Sequence, residues 1–298
     1  MKTATRLLVA CAISLLAWPA AAAVRVFACE PEWAALAQEL GGDKVKVYVA
    51  TTALQDPHRI EARPSLIARA RSADLVVATG AELEVGWLPL VLQQVGKPAS
   101  GAGYFEATSA VPLLDKPAHF DRAEGDVHPF GDPHIQTDPR NIARVATALA
   151  QRMGEVDRAN AAFYAQREKD FAARWNAAIA KWEQQAAPLK GISVVVQHKG
   201  FTYLEHWLGL REAASLEPKP GIEPTAAHLA EVLGQLGREP VKMVLRAAYQ
   251  SDQASLWLAE RAHMKAVMLP FTVGGTPAAK DLFGLFDDTV QRLLQAAQ

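Results

Sequence analysis

The sequence predicts an α/β protein of two lobes, each with a parallel sheet flanked by helices, joined by one long helix. Short apolar runs alternate with helical patterns in both halves of the 298-residue chain, which is typical of strand–helix–strand units. Between the halves, residues 156–189 keep helical spacing without a strand-like run and without a proline until near their end. These observations indicate two sheets and a connecting helix.

In the first half, apolar runs bounded by turn residues indicate buried strands, and apolar residues three and four apart indicate helices. We expect strands at 24–29, 44–50 and 74–80, and helices at 31–40, 64–73 and 84–96. The region 111–133 is rich in Pro, Gly, Asp and His and is predicted to be a surface loop.

The second half repeats this order after a helix predicted at 138–153. Its strands are expected at 191–198, 241–248 and 265–270, and its helices at 201–210, 225–237, 252–262 and 277–297. The long helix would measure about 45–50 Å and act as a stiff connector. We therefore divide the chain into an N-terminal lobe, a linking helix and a C-terminal lobe, at 24–154, 155–189 and 190–298.

Residues 1–23 have the pattern of a cleaved export signal. Lys2 and Arg6 precede the apolar run 7–18, and an Ala-x-Ala sequence precedes Val24. The apolar run is too short to span a membrane as a stable helix. We expect a periplasmic protein, and the alternative is a lipoprotein in which Cys11 of "LVAC" is lipidated.

The composition excludes several classes of protein. Lys and Arg number 31 against 32 Asp and Glu, and no basic patch stands out, which argues against nucleic acid or an anionic membrane as partner. Beyond the predicted signal Cys29 is the single cysteine, so an internal disulfide and a cysteine-based metal cluster are excluded. We expect a soluble monomer.

The tripeptide Asp-Pro-His occurs twice, ending at His58 and at His134, each time just before a helical pattern. His58 follows one predicted strand and His198 ends another. In open α/β sheets, ligands bind beyond the carboxyl ends of the strands. The proline before His58 and before His134 stiffens the backbone that aims each ring.

Neutral imidazole is the commonest protein ligand for metals, and zinc takes four N, O or S donors. Asp281, in the opening turns of the predicted last helix, is a candidate for the fourth donor. The spacing does not match a short metal motif such as His-x-x-x-His. The residues alone leave two interpretations open, a metal site or histidines that cap helices and fill the core.

Several stretches of the sequence resemble the solute-binding proteins of zinc and manganese ABC importers, in order along the whole chain after the signal. These stretches are "DPHRIEARPS" (56–65), "GDPHIQTDPRN" (131–141), "VVQHKGFTYL" (195–204), "PGIEPTAAHLAEV" (220–232) and "GGTPAAKDLFGLFDDTVQRL" (274–293). The resemblance implies two α/β lobes joined by one long helix, with the metal in the cleft between them.

The resemblance also implies four ligands, His58 and His134 from the N-terminal lobe and His198 and Asp281 from the C-terminal lobe. Manganese-type relatives usually have Glu at the third position, and a nitrogen donor there favours zinc. Closed four-ligand coordination suits binding, whereas a catalytic zinc keeps a position open for water. We therefore expect a binding protein and no enzyme.

Two further features resemble the family only in part. Many zinc-type relatives have a long His-rich loop, whereas this chain has only 118–134 with His119 and His128. We interpret these residues as a flap that recruits zinc, or else as an ordinary solvated loop. Glu61 is interpreted either as a hydrogen-bond partner of a ligand histidine or as an acid near a helix start.

The predicted function is capture of Zn²⁺ in the periplasm and its delivery to an ABC permease in the inner membrane, with a periplasmic zinc metallochaperone as a further partner. Protons compete with zinc for imidazole, so zinc affinity should fall below about pH 6.5. The alternatives are manganese or iron binding by a protein of the same class, an exported zinc hydrolase, and a surface adhesin that holds a structural ion.

Overall fold

The computed structural model describes residues 22–119, 121–236 and 240–298. The predicted export signal lies outside these residues except for its last two positions. None of the described helices is both long enough and apolar enough to cross a membrane. Two four-stranded sheets dominate the fold, and every strand pairing in them is parallel.

The first sheet has the strand order β2-β1-β3-β4. Its elements are β1 (Val24–Ala28), α1 (Pro31–Gly41), β2 (Val45–Val49), α2 (Pro64–Ser72), β3 (Leu75–Ala78), α3 (Leu88–Val95) and β4 (Tyr104–Glu106). All residues of β3 are buried, as expected for an inner strand covered by helices on both faces. The loops after β1, β2 and β3 leave from the same edge of the sheet, because parallel strands share their direction.

The second sheet has the order β6-β5-β7-β8 and follows two long helices. The elements of this half are α4 (Pro139–Val156), α5 (Ala161–Ala186), β5 (Ser193–Val196), α6 (Thr202–Leu208), β6 (Arg211–Ser215), α7 (Ala226–Leu236), β7 (Val241–Ala247), α8 (Gln253–Ala262), β8 (Lys265–Leu269) and α9 (Leu282–Ala297). The predicted fold class is confirmed: two parallel sheets flanked by helices, with a long helix between them.

Two strands were not predicted from the sequence, β4 and β6, and each lies at an edge of its sheet. β4 has only three residues, and β6 reads REAAS without an apolar run. An edge strand has one neighbour and is often short or charged, which limits pairing with other chains. Hydrophobic periodicity therefore carries little signal for such strands.

The linking helix α5 has 26 residues, about 39 Å in length, and is shorter than predicted. Single 3₁₀ turns at Arg158–Asn160 and Ala187–Leu189 take the place of its predicted ends. Trp175 of α5 is fully buried, its indole N–H donates to the Pro139 carbonyl at 2.8 Å, and its ring centroid lies 4.9 Å from that of Phe283 in α9. The linking helix thus shares one core with helices of both halves, which makes the connection stiff.

Candidate metal centre

The repeated Asp-Pro-His tripeptide holds a histidine ring in the same way at both places. Asp56 Oδ1 accepts from the backbone N–H of His58 at 3.0 Å and lies 2.7 Å from its Nδ1. Asp132 Oδ1 makes the same two contacts with His134, at 2.8 and 2.7 Å. An Asp side chain that bonds to the backbone two residues on forms a compact turn. Here that turn also fixes the imidazole.

His198, two residues beyond β5, is held by a carboxylate from a different part of the chain. Its Nδ1 lies 2.7 Å from Oε2 of Glu217, in the loop after β6. An ionised carboxylate only accepts hydrogen bonds, so Nδ1 of each of the three rings carries the proton and Nε2 of the neutral ring keeps its lone pair. This is the tautomer that metal-binding histidines adopt when a carboxylate orients them.

The three rings come together between the two halves of the molecule. The ring centroids of His58, His134 and His198 are 5.4 to 5.7 Å apart, and one nitrogen from each lies within 4.8 Å of the others. Nε2 of His134 and Nε2 of His198 are buried and have no hydrogen-bond partner among the described residues. A buried polar atom left unpaired costs about 1–3 kcal/mol, so the arrangement calls for a ligand at these nitrogens.

The charges around the rings favour a cation. Burial lowers the pKa of His134, which keeps that ring neutral. Burial acts in the same sense on His198, but the hydrogen bond to Glu217 and its charge outweigh it and raise the pKa of His198. Burial opposes ionisation of Asp56, yet the hydrogen bond from His58 lowers the pKa of Asp56 to about 2. Ionised carboxylates thus stand behind imidazoles whose free nitrogens point together.

Aromatic residues of the second half contact His134 and the residue that orients it. The ring of Phe271 lies 5.6 Å from that of His134, and the φ of Phe271 is 65°, in the left-handed region that bulky residues seldom adopt. The Tyr203 hydroxyl donates to the Asp132 carbonyl at 2.8 Å and accepts from the Leu114 N–H at 3.1 Å. The two halves therefore position the His134 ring jointly.

Asp281, predicted as the fourth ligand, is not in the group of donor atoms at His58, His134 and His198, which lie within 4.8 Å of one another. The last helix begins at Leu282, not at residue 277, so Asp281 is its N-cap residue. Its side chain is exposed, and Oδ1 accepts from the Gly284 N–H at 2.8 Å. Asp is among the preferred N-cap residues because its oxygen satisfies an unpaired N–H of the first turn.

Glu61 is exposed, and no hydrogen bond in the described part of the chain joins its side chain to His58, His134 or His198. The carboxylates that orient the rings are instead Asp56, Asp132 and Glu217. The Asp two residues before each histidine was a usable signal for the first two. Glu217 is 19 residues from His198 in sequence, and no motif pointed to it.

The two histidines of the 118–134 region differ in position. His119 is exposed, whereas His128 is half-buried and its Nε2 lies 3.3 Å from Nε2 of His58. The ring centroid of His128 is 5.3 Å from that of His58 and 6.0 Å from that of His134. Burial, reinforced by the neighbouring histidines, lowers the pKa of His128 to about 3. The structure therefore places His128 beside the three-histidine cluster.

Two α/β halves joined by a stiff helix, with imidazole nitrogens converging between them, define a two-lobed α/β protein with a candidate metal site between its lobes. The chain belongs to the ZnuA family, zinc-uptake complex component A periplasmic, whose family model matches residues 26–296.

Individual relatives agree with this membership. In an alignment of 326 positions, the chain is 24% identical to the high-affinity zinc uptake system protein ZnuA of Paracoccus denitrificans. The alignment covers 97% of this chain and 96% of that protein. It is 23% identical over 274 residues to the zinc-binding lipoprotein AdcA of Streptococcus pneumoniae, covering 87% of this chain but only 52% of AdcA, about half its length. Its matches also include a lipoprotein named for manganese transport. A crystal structure of ZnuA superimposes with a TM-score of 0.77 at 23% identity, covering 93% of this chain and all of that one, and shows the same fold.

Proposed function

We propose that this protein captures Zn²⁺ through Nε2 of His58, His134 and His198 and delivers it to an ABC permease in the inner membrane. The observation that supports this most strongly is the convergence of three carboxylate-held imidazoles, two of which have a buried Nε2 without a partner among the described residues. The names of the relatives ZnuA and AdcA support zinc as the transported ion.

The donor set favours zinc over manganese. Imidazole nitrogen suits zinc, whereas manganese prefers carboxylate, carbonyl and water oxygens. The carboxylates nearest the rings, Asp56, Asp132 and Glu217, accept hydrogen bonds from Nδ1 and so lie behind the imidazoles. Manganese or iron binding at the same site is the alternative within this class.

The same contacts favour binding over hydrolysis. A zinc hydrolase needs a general base beside a metal-bound water. The carboxylates that contact the histidines are engaged by Nδ1, and Glu61, three residues after His58, is exposed. We therefore propose a carrier without catalytic activity.

Delivery should involve loop movement more than a hinge between lobes. α5 packs into a core shared with α4 and α9, so large rotation of one half against the other would disrupt buried aromatic contacts. The lobe boundaries, periplasmic location after signal cleavage, loading by a metallochaperone and a monomeric state remain predictions of the same proposal.

Calorimetric titration of the metal-stripped protein with Zn²⁺ and Mn²⁺ tests the proposal. We expect tight one-to-one zinc binding, weak manganese binding, and at least about 100-fold weaker zinc binding in His198→Ala, since even an indirect partner of a zinc ligand is worth 10- to 100-fold. His206→Ala, which removes an exposed histidine of α6, is the control and should bind as wild type. Comparable manganese affinity, or normal zinc binding by His198→Ala, would contradict the proposed site.

A further inference from the structure

We propose that His128 supplies the fourth zinc ligand, and that the loop carrying it is held over the site by direct contact with the C-terminal half. This inference rests on the proposed function, because it assumes zinc at the three histidines. Zinc usually takes four ligands, and the three rings provide three. We call residues 121–131 the histidine loop and residues 217–222 the facing loop.

The distance between His58 and His128 matches two ligands of one ion. Two Zn–N bonds of about 2.0–2.1 Å at the tetrahedral angle separate their nitrogens by about 3.3–3.4 Å. The two Nε2 atoms are 3.3 Å apart. Since Nδ1 of His58 donates to Asp56, Nε2 of His58 carries a lone pair and has no proton to donate to His128. A zinc ion shared by the two nitrogens accounts for this approach, and so does a hydrogen bond in which His128 is the donor.

The position of His128 is fixed by contacts between the histidine loop and the facing loop. The Asp126 N–H donates to the Pro220 carbonyl at 2.8 Å, and the Lys219 ammonium donates to the Ala123 carbonyl at 3.0 Å. Arg59, the residue after His58, donates to the Gly221 carbonyl at 2.9 Å and lies 3.5 Å from the Asp126 carboxylate. These bonds tie a segment before His128 to the opposite half of the molecule.

Glycines allow the two loops to meet backbone to backbone. Gly125 has φ +90° and Gly221 has φ +73°, a conformation that only glycine adopts readily. A Cβ on Gly125 would overlap the Pro220 carbonyl oxygen, and a Cβ on Gly221 would overlap the Asp126 carboxylate. The contact therefore depends on the absence of side chains at both positions.

One carboxylate connects this contact to the ligand set. Oε2 of Glu217 accepts from His198 Nδ1 at 2.7 Å and from the Gly221 N–H at 2.7 Å. Glu217 thus orients a ligand of the C-terminal half and the glycine against which the histidine loop packs. Loss of the contact would withdraw His128 while leaving His58, His134 and His198 in place, which gives a route for zinc to leave without separation of the lobes.

The test compares three variants of the full chain. His128→Ala removes the proposed ligand, Arg59→Ala removes a loop contact but retains every histidine, and His119→Ala removes an exposed histidine just before the histidine loop. Zinc dissociation is measured by competition with a chelator, and coordination by the visible absorption of the Co²⁺-substituted protein. We expect dissociation at least about tenfold faster and an altered cobalt spectrum in His128→Ala. Arg59→Ala should show a smaller acceleration, and His119→Ala should match wild type.

The His134→Ala variant separates the two hypotheses. If His134→Ala loses zinc while His128→Ala retains the wild-type dissociation rate and cobalt spectrum, the fourth-ligand assignment is overturned and the proposed function stands. If His134→Ala binds zinc normally, the proposed function fails. A spectral change in His128→Ala together with faster release in both His128→Ala and Arg59→Ala supports the inference.

Discussion

Among the described residues there are two clusters in which three potential metal-binding side chains each place one donor atom within 4.8 Å of the others. The two clusters differ in where these donor atoms point. One is the set of His58, His134 and His198. The other is the carboxyl cluster, defined as Cys29, Glu30 and Glu84. In the histidine set, the contacts to protein carboxylates use Nδ1 and leave Nε2 available at the centre.

In the carboxyl cluster, the protein itself satisfies most of the acceptors. The oxygens of Glu84 accept from the backbone N–H groups of Thr79 and Gly80, at 2.6 and 3.1 Å, and Oε2 of Glu30 accepts from the Thr79 hydroxyl at 2.9 Å. Burial raises the pKa of Cys29 and of Glu30 well above their ordinary values and that of Glu84 to about 7. Protonated groups are poor metal ligands, so proximity and residue type do not suffice for a metal site.

The largest effect should come from a matched pair of charge-removing substitutions, one in each cluster. Asp132→Asn keeps an oxygen for His134 but removes the charge, so zinc affinity should fall about 10- to 100-fold. Glu84→Gln should leave zinc affinity unchanged, because Glu84 contacts none of the three histidines in the described structure. Calorimetric titration of both variants with Zn²⁺ checks this prediction. A lower zinc affinity of Glu84→Gln would contradict the proposed difference between the two clusters.

A smaller effect concerns pH. Glu30 and Glu84 have folded-state pKa values above their ordinary value of 4.5, so the folded protein binds more protons than the unfolded chain above pH 4.5. The contribution of Glu84 to stability is full below pH 4.5 and is lost as pH rises through about 7. Metal-free wild type should therefore lose unfolding free energy more steeply than Glu84→Gln between pH 5 and 8, by at most about 1.4 kcal/mol per pH unit for one proton.

Urea unfolding at several pH values measures this difference. The metal-free state is needed because bound zinc would add its own pH dependence. Parallel stability curves for wild type and Glu84→Gln would show that the carboxyl of Glu84 takes up no extra proton on folding.

The smallest effect should come from Asp281→Ala. Loss of an N-cap oxygen costs about 0.5–2 kcal/mol of stability, while zinc affinity should not change. Asp281→Asn is the control, since Asn also caps helices well and should restore most of the stability. Weakened zinc binding in both variants would instead indicate that Asp281 is a zinc ligand.

The apolar periodicity predicted most of the fold, and the repeated Asp-Pro-His motif indicated two of the proposed ligands, His58 and His134. Inner strands such as β3 are buried on both faces and need continuous apolar runs, so the sequence reveals them. The edge strand β6 needs no such run, and it was therefore not predicted from the sequence. His58 and His134 were identifiable because the aspartate that orients each ring lies two residues before it.

By itself, therefore, the sequence determined the two-lobed α/β class, the stiff central helix and the local turns that aim His58 and His134, because these depend on short-range periodicity and hydrogen bonds between near neighbours. Only the tertiary structure decided the rest. It placed Glu217 beside Nδ1 of His198, brought Nε2 of His128 to 3.3 Å from Nε2 of His58, and made Asp281 the N-cap residue of the last helix. Each of these outcomes depends on how distant loops pack or on the residue at which a helix begins, and neither is encoded in local spacing.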